Sequence, residues 1–301
     1  MADQGGQPRI RAIVVNYNAG EALLRCLRSV LEQGPGVGVT LVDNASSDGS
    51  ADAAWTGFGD DSRLTLIRNR DNPGFATAVN QAARQAEAEA ADYLLILNPD
   101  CELGPGALDA LRQALESDPQ ASLAGPRVTD PSGRAQRATL RRFPSAWTSL
   151  VTFTGLWRLE GRWPLFRGVE YPGPLPDTVT QAEAVSGACM LVRATTFFDA
   201  GGMDEAYGLH GEDLDLMYRL HRRGGHCLYV PGAVVVHLQG LSSRSRPWWV
   251  HWQKHRGMQR FFLTFQAPEY AIPLRWLLGG LVLAGIWLRF VLLLPVVALR
   301  R

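Results

Sequence analysis

Apolar residues over the first 120 positions come in two rhythms that take turns. Ile10 to Val15 is a short run of β-favouring residues that stops at Asn16-Tyr17-Asn18, and from Glu21 to Glu32 the positions Leu23, Leu27, Val30 and Leu31 recur at helical spacing. The cycle then repeats. Val39 to Val42 predicts a strand, "DNASSDGS" a loop, and Ala51 to Trp55 the start of a helix. Leu64 to Ile67 predicts a third strand, followed by the loop "RNRDNPG" and a helix with Phe75, Val79, Ala82, Ala83 and Ala86 on one face. Tyr93 to Leu97 predicts a fourth strand, and Leu108, Leu111 and Leu115 mark one more amphipathic helix. Strands alternating with helices predict an α/β fold, a mostly parallel sheet with helices on both faces. Ligands of such sheets bind outside the carboxyl ends of the strands. Asn16-Tyr17-Asn18, Asp43-Asn44, Asn72-Pro73-Gly74 and Asn98-Pro99-Asp100 all fall at that end, so four loops are expected to face one place.

The rhythm is lost over 126–184, a segment rich in Arg, Pro, Trp and Gly that reads as an irregular insertion able to cover a site. Order returns in the strand-like "AVSGACMLVR". A helix is predicted from Gly211, with Leu214, Met217, Tyr218 and His221 as its apolar stripe, and Cys227 to Val236 predicts a strand closing at His237. Next, Arg244, Arg246, Lys254, Arg256 and Arg260 interleave with Trp248, Trp249 and Trp252, a mixture suited to anionic headgroups. Trp276 to Leu299 is apolar except for Arg289 and is flanked by Arg275 and Arg300-Arg301. Its length suits a bilayer, yet Arg289 at the centre of a span costs about 2.5–3.5 kcal/mol and Pro295 bends the last turns. A tilted span and a helix–break–helix hairpin lying in the interface both satisfy this pattern, and a helix pair docked on the main domain is the soluble alternative. Membrane contact is the expectation.

The 301 residues leave room for one large domain, assigned to 1–240, and a membrane-associating helical tail, 241–301. Thirty Lys and Arg against 29 Asp and Glu leave a formal charge of +1, so no global field invites a nucleic-acid partner. Cys26, Cys101, Cys189 and Cys227 show neither CxxC spacing nor a disulfide framework, which fits a reducing cytoplasm. The amino-terminal stretch has no apolar run behind a basic start, so the first domain is expected in the cytosol.

Candidate chemistry narrows by exclusion. There is no GxxxxGK[ST] loop, no GxGxxG after the first strand and no GxSxG elbow, so phosphate-loop, dinucleotide and serine-hydrolase readings lose their support. Carboxylates on loops remain. Asp100, presented by Pro99 after a buried strand, can hold Mg²⁺ or Mn²⁺ while a diphosphate supplies further oxygens, or it can simply punctuate a turn. His237 at a strand end is a possible second ligand. Glu212, Asp213 and Asp215 crowd the first turn of a helix; the helix dipole accounts for one or two acids there better than for three. Glu212 and Asp215 share a helix face while Asp213 points elsewhere, and a carboxylate so placed can act as a general base for a hydroxyl nucleophile.

The ordered set "VVNYNAG", "LVDNASSDGS", "NPGFATAVN", "LLILNPD", "GACMLVR", "GGMDE", "GEDLDLMYRL" and "HLQGLS" resembles the family-two GT-A glycosyltransferases, particularly their rhamnosyltransferase-like branch, over roughly residues 10–260. The resemblance implies a GT-A fold and a nucleotide site bordered by Asn16, Tyr17, Asp43, Asn72, Gly74 and Asn98. It implies Asp100 as the metal aspartate, His237 completing the metal or diphosphate site, and Asp213 as catalytic base with Glu212 and Asp215 on the acceptor side. Asn98 stands where the family often has a second aspartate. The implied activity is inverting transfer of a sugar from a nucleoside diphosphate, dTDP-rhamnose by the branch resemblance, to a hydroxyl of a lipid-linked or cell-surface glycan. Residues 126–184 and the tail would hold that acceptor at the cytoplasmic face of the cell membrane. A UDP-hexose donor, a sugar nucleotidyltransferase and a non-catalytic membrane-associated binding protein are the alternatives. The poor triphosphate loop in "NYNAGEALLR" weakens the nucleotidyltransferase, and the presence of Asp213 weakens the non-catalytic reading.

Overall fold

The structure, a computed structural model, describes residues 9–171, 173–238 and 246–298. The first half follows the predicted alternation: β1 (Ile10–Asn16), α1 (Ala22–Leu31), β2 (Val37–Asp43), α2 (Ser50–Phe58), β3 (Leu64–Arg68), α3 (Phe75–Ala88) and β4 (Tyr93–Leu97). Then come β5 (Cys101–Leu103), α4 (Ala107–Ser117), β6 (Ala121–Thr129), β7 (Leu140–Arg141), α5 (Ala146–Thr154), β8 (Thr180–Ala182), β9 (Ala184–Val185) and β10 (Cys189–Arg193). The rest is α6 (Ala194–Asp199), α7 (Glu212–Arg222), β11 (His226–His237), α8 (Pro247–Phe261) and α9 (Ile272–Ala298).

The main sheet runs β3-β2-β1-β4-β10-β6-β11-β5, with β8 also on β11. β1 to β4 are parallel to one another, β10 runs antiparallel between β4 and β6, and β11 is parallel to β6. Period-two alternation splits the core cleanly. Ala12, Val14, Leu95 and Leu97 point to the layer under α1, α2 and α4, while Ile13, Val15, Leu94 and Ile96 point to the layer under α3, α6 and α7. Both faces are covered, so the strands read as unbroken apolar runs rather than alternating ones.

The segment 126–184 is less irregular than its composition suggests. Its first residues complete β6, which enters the sheet, and at its other end β8 pairs with β11 and β9 with β7. Between them, Arg-, Pro- and Trp-rich chain is organised around α5, whose first turn is closed by a reciprocal cap between Ser145 and Thr148. α8 lies on the main domain, with Arg260 bound to Asp204 at 2.5 Å and the Phe261 ring 5.4 Å from that of Tyr218. The predicted boundary at 240/241, the end of "HLQGLS", Arg244 and Leu299 to Arg301 lie outside the described residues.

Candidate active site

The ends of β1 to β4 gather their loops at one edge, as the alternation predicts. Asn16, wholly buried, donates to Asp43 Oδ1 at 2.8 Å, Ser50 Oγ at 2.9 Å and Ser46 Oγ at 3.0 Å. Asn44 donates to Asn72 Oδ1 and to the Gly74 carbonyl, each at 3.2 Å, and accepts from Asn69 at 2.9 Å. These side-chain amides cross-brace loops that have no backbone ladder of their own, which satisfies buried polar groups and fixes the shape of the edge. Asn16 and Asp43 are therefore spent largely on each other. Tyr17 stands at the rim, half-exposed, with the Arg246 guanidinium 5.6 Å from its ring centre, so a residue read as a headgroup contact borders this pocket instead. Gly74, at φ +98°, opens α3 in a conformation that favours glycine.

Asp100 lies at the next loop. β11 brings His237 opposite Cys101, since after a register shift between Val230 and Val234 the strand pairs with β6 on one edge and with β5 on the other. His237 Nε2 comes to 3.2 Å from Asp100 Oδ1. Gln136 fixes the ring: its Oε1 lies 3.0 Å from His237 Nδ1, and its amide donates to the His237 carbonyl at 2.7 Å. With Nδ1 donating to Gln136, Nε2 faces a carboxylate oxygen, an arrangement that a shared proton satisfies and that could equally hold a cation between the two atoms. The carboxylate oxygen suits Mg²⁺ or Mn²⁺, and an imidazole nitrogen beside it is the softer donor of the pair. Cys101 is near enough to be a third donor, but its thiol is turned to the Ala188 carbonyl, 3.4 Å away, and burial pushes it far above the usual thiol range, so it stays protonated. Asn98 meets the same carbonyl through its backbone N–H at 2.9 Å.

That carbonyl connects the two halves of the site. Ala188 follows Gly187, and Gly187 packs so closely on Asp213 that a Cβ there would collide with Asp213 Oδ2. Asp213 Oδ2 also accepts from Arg141 at 2.6 Å, and Arg141 in turn donates to the Val185 carbonyl at 2.8 Å. Burial works to raise the Asp213 carboxyl, but the Arg141 charge and hydrogen bond outweigh it and hold the group below the usual aspartate range. Glu212 goes the other way. It is buried, its Oε2 has no hydrogen-bond partner among the described residues, and burial beside the Asp213 charge pushes it up to about 7. Burial, with Lys254 nearby, lowers His210 to about 4, so that imidazole is neutral. Asp215 is placed apart: its Oδ1 meets Arg219 Nε at 2.5 Å, and it lines a separate cavity of about 450 Å³ with Asn80, Asp204 and Glu205. The acceptor-side assignment thus meets a carboxylate already paired within the fold. Gln136, Arg141 and Gly187 are functional candidates that the sequence reading did not name. Only Gly187 had a signal, as the first residue of "GACMLVR".

Comparison with known proteins identifies the family and the fold. The family model described as glycosyl transferase family 2 matches residues 12–170. An N-acetylglucosaminyl-diphospho-decaprenol L-rhamnosyltransferase of Mycobacterium tuberculosis is 32% identical over 278 residues, 89% of this chain and 88% of the relative. Among solved structures, a mannosyltransferase from Pyrobaculum calidifontis in complex with GDP-mannose and Mn²⁺ superposes with a TM-score of 0.60 at 19% identity, over 98% of this chain and 74% of that one. GalNAc-T7 with UDP, GalNAc and Mn²⁺ gives 0.58 at 17%, over 84% and 50%. The chain belongs to glycosyl transferase family 2, folds as a GT-A domain and is a glycosyltransferase.

Proposed function

We propose that the protein is an inverting, metal-dependent rhamnosyltransferase that moves rhamnose from dTDP-rhamnose to a hydroxyl of a lipid-linked saccharide at the cytoplasmic face of the cell membrane. The observation that supports this reading is the short segment Gly187-Ala188, which touches the Asp100 loop through Asn98 and Cys101 on one side and packs on the Arg141-paired carboxylate of Asp213 on the other. Asn72, Gly74, Tyr17 and the amide-braced loop ends would border the nucleoside diphosphate. Asp100 and His237 would hold Mg²⁺ or Mn²⁺, which when bound offsets the charge of the diphosphate.

Asp213 would take the proton of the acceptor hydroxyl on the carboxylate oxygen not held by Arg141. The acceptor oxygen forms its bond to the anomeric carbon as the bond from that carbon to the diphosphate breaks, with inversion. Arg141 keeps Asp213 ionised and aimed. The donor and acceptor classes are supported by the relative at 32% identity, and the membrane location by α9, the one helix among the described residues long and apolar enough to cross a bilayer. Incubating membranes with radiolabelled nucleotide sugars tests donor and acceptor together. Label from dTDP-rhamnose is expected in the lipid fraction, and transfer from a UDP-hexose alone would overturn the donor.

A further inference from the structure

The apolar stripe of α9 faces outward along its whole length. Leu277, Leu281, Leu288 and Leu292 recur at spacings of four, seven and four, one face of a helix, and are 54–64% exposed. The opposite face is tied down. His251 Nε2 lies 3.0 Å from the Phe290 carbonyl, Trp287 donates to Gln259 Oε1 at 2.9 Å, and Arg289 donates to His255 Nε2 at 2.8 Å. All three partners are on α8. Burial lowers His255 to about 4, so its neutral ring can accept from the Arg289 guanidinium.

α8 is itself bound to the catalytic domain beside the candidate base. Gly257 sits where a Cβ would strike the His210 carbonyl, three residues before Asp213, and Arg260 holds Asp204. This arrangement conflicts with a transmembrane path. Arg289 is about 20 Å along the helix from Trp276 and about 14 Å from Ala298, which is mid-depth in a hydrocarbon layer about 30 Å thick. Placing α9 across a bilayer would carry α8, and with it the start of α7, into that layer.

We propose that α9 lies in the plane of the membrane surface, its leucine stripe in the acyl boundary and its Arg289 face on α8, as a monotopic seat for the domain. This deepens the reading of a membrane-bound acceptor and rests on it. Charge favours a lipid surface over a second copy of the chain. Between Arg246 and Ala298 there are six Lys or Arg, of which Arg246 faces Tyr17 and Arg260 pairs with Asp204, against one acid, Glu269, itself paired with Arg222. Trp147, Leu150 and Phe153 of α5 are also exposed and apolar, and Arg289 lies over the Phe153 ring at 5.6 Å, so α5 stands beside α9 on its Arg289 side. Arg158 and Arg162 follow in the next turns, each over a tryptophan ring. α9 is apolar nearly all round, so the polar side of this surface comes from the cations of α8 and from Arg158 and Arg162, a charge pattern that draws a protein to anionic lipid.

The test uses the full chain and vesicles of phosphatidylcholine, with or without about one-third phosphatidylglycerol, and needs no sugar donor, so its failure is separable from failure of the transferase reading. Flotation should show binding that strengthens with the anionic lipid and weakens with salt. Leu281→Glu, Leu288→Glu and Leu292→Glu combined should lower the bound fraction by about tenfold or more with an unchanged melting temperature. All four native cysteines are buried, so Arg275→Cys and Ala298→Cys report separately to an impermeant maleimide. Both should label from outside intact vesicles. Labelling of one end only after detergent means that α9 spans and overturns the proposal. So does the absence of vesicle binding, with the triple variant instead splitting a dimer into monomers.

Discussion

The two sides of the cleft are built from different materials. On the donor side, neutral amides do the bracing: Asn16, Asn44, Asn69 and Asn72 join three loops, and the carboxylate of Asp43 is absorbed into that network. On the base side, ionisable groups press on one another in a mostly dry setting, with Arg141 on Asp213, Glu212 pushed up to about 7 and His210 held near 4. The difference fits a division of work. A nucleotide pocket needs fixed shape, which amides supply over a broad pH range, whereas a base needs a tuned proton affinity, which only nearby charge and burial supply.

The largest break in this comparison should come from Asp213→Asn. It keeps the shape of the base side and removes its proton acceptor, so turnover should fall by roughly 10²–10⁴-fold. Nucleotide affinity, measured by calorimetry with dTDP, should be unchanged, because the amide-braced edge is untouched. Activity near wild type would remove Asp213 from the role of base.

Gly187→Ala tests the junction of the two sides. The added methyl would have to displace the Asp213 carboxylate, and a displacement near 1 Å costs on the order of 10²-fold in turnover. A loss in nucleotide affinity instead would mean that the strain is relieved toward Asn98 and the donor side.

This contrast also explains what was legible in the sequence. The donor side was readable because each loop follows its own strand: the apolar run ends, the polar cluster begins, and a parallel sheet delivers the clusters to one edge. Arg141 was not readable, since it reaches Asp213 across 72 residues from a two-residue strand inside a stretch whose composition looks irregular. Gln136 has the same problem, joining His237 across 101 residues. β6 was hidden in part by its own Gly125-Pro126, and Gly125 serves a packing need, the Val185 side chain lying where its Cβ would be. In the tail, the aromatic and basic residues announced an interface, but the docking of α8 on the domain depends on Gly257 and Arg260, which carry no local pattern.

Gln136→Ala should sharpen the assignment of the cation pair. Losing the acceptor on Nδ1 frees the His237 ring to turn, and such losses cost about 10–100-fold in metal affinity. Titration with Mn²⁺, followed by the metal dependence of dTDP binding, should show that weakening, while Asp100→Ala should remove the dependence. Identical titrations in all three proteins would count against a metal at this place.

A smaller and more specific effect is expected from Arg141→Gln. Burial raises the Asp213 carboxyl and Arg141 lowers it, so without the guanidinium the group loses its proton only at higher pH. The acidic limb of kcat/KM against pH should therefore move upward. A purely structural Arg141 would reduce the amplitude and leave the limb in place.

Glu212→Gln probes the base side through stability alone. Glu212 is held protonated to about pH 7 in the folded chain, against an ordinary value of 4.5, so between those limits the folded state binds more protons than the unfolded. Stability then falls as pH rises through that window, because the slope follows the difference in bound protons. Glutamine is the permanent analogue of the protonated acid, so the variant should lose this contribution, and its melting temperature should exceed that of wild type by more at pH 8 than at pH 5. Equal pH dependence in both proteins would mean that Oε2 is solvated or paired after all, and the contrast between a neutral donor side and a charged base side would then rest on Asp213 and His210.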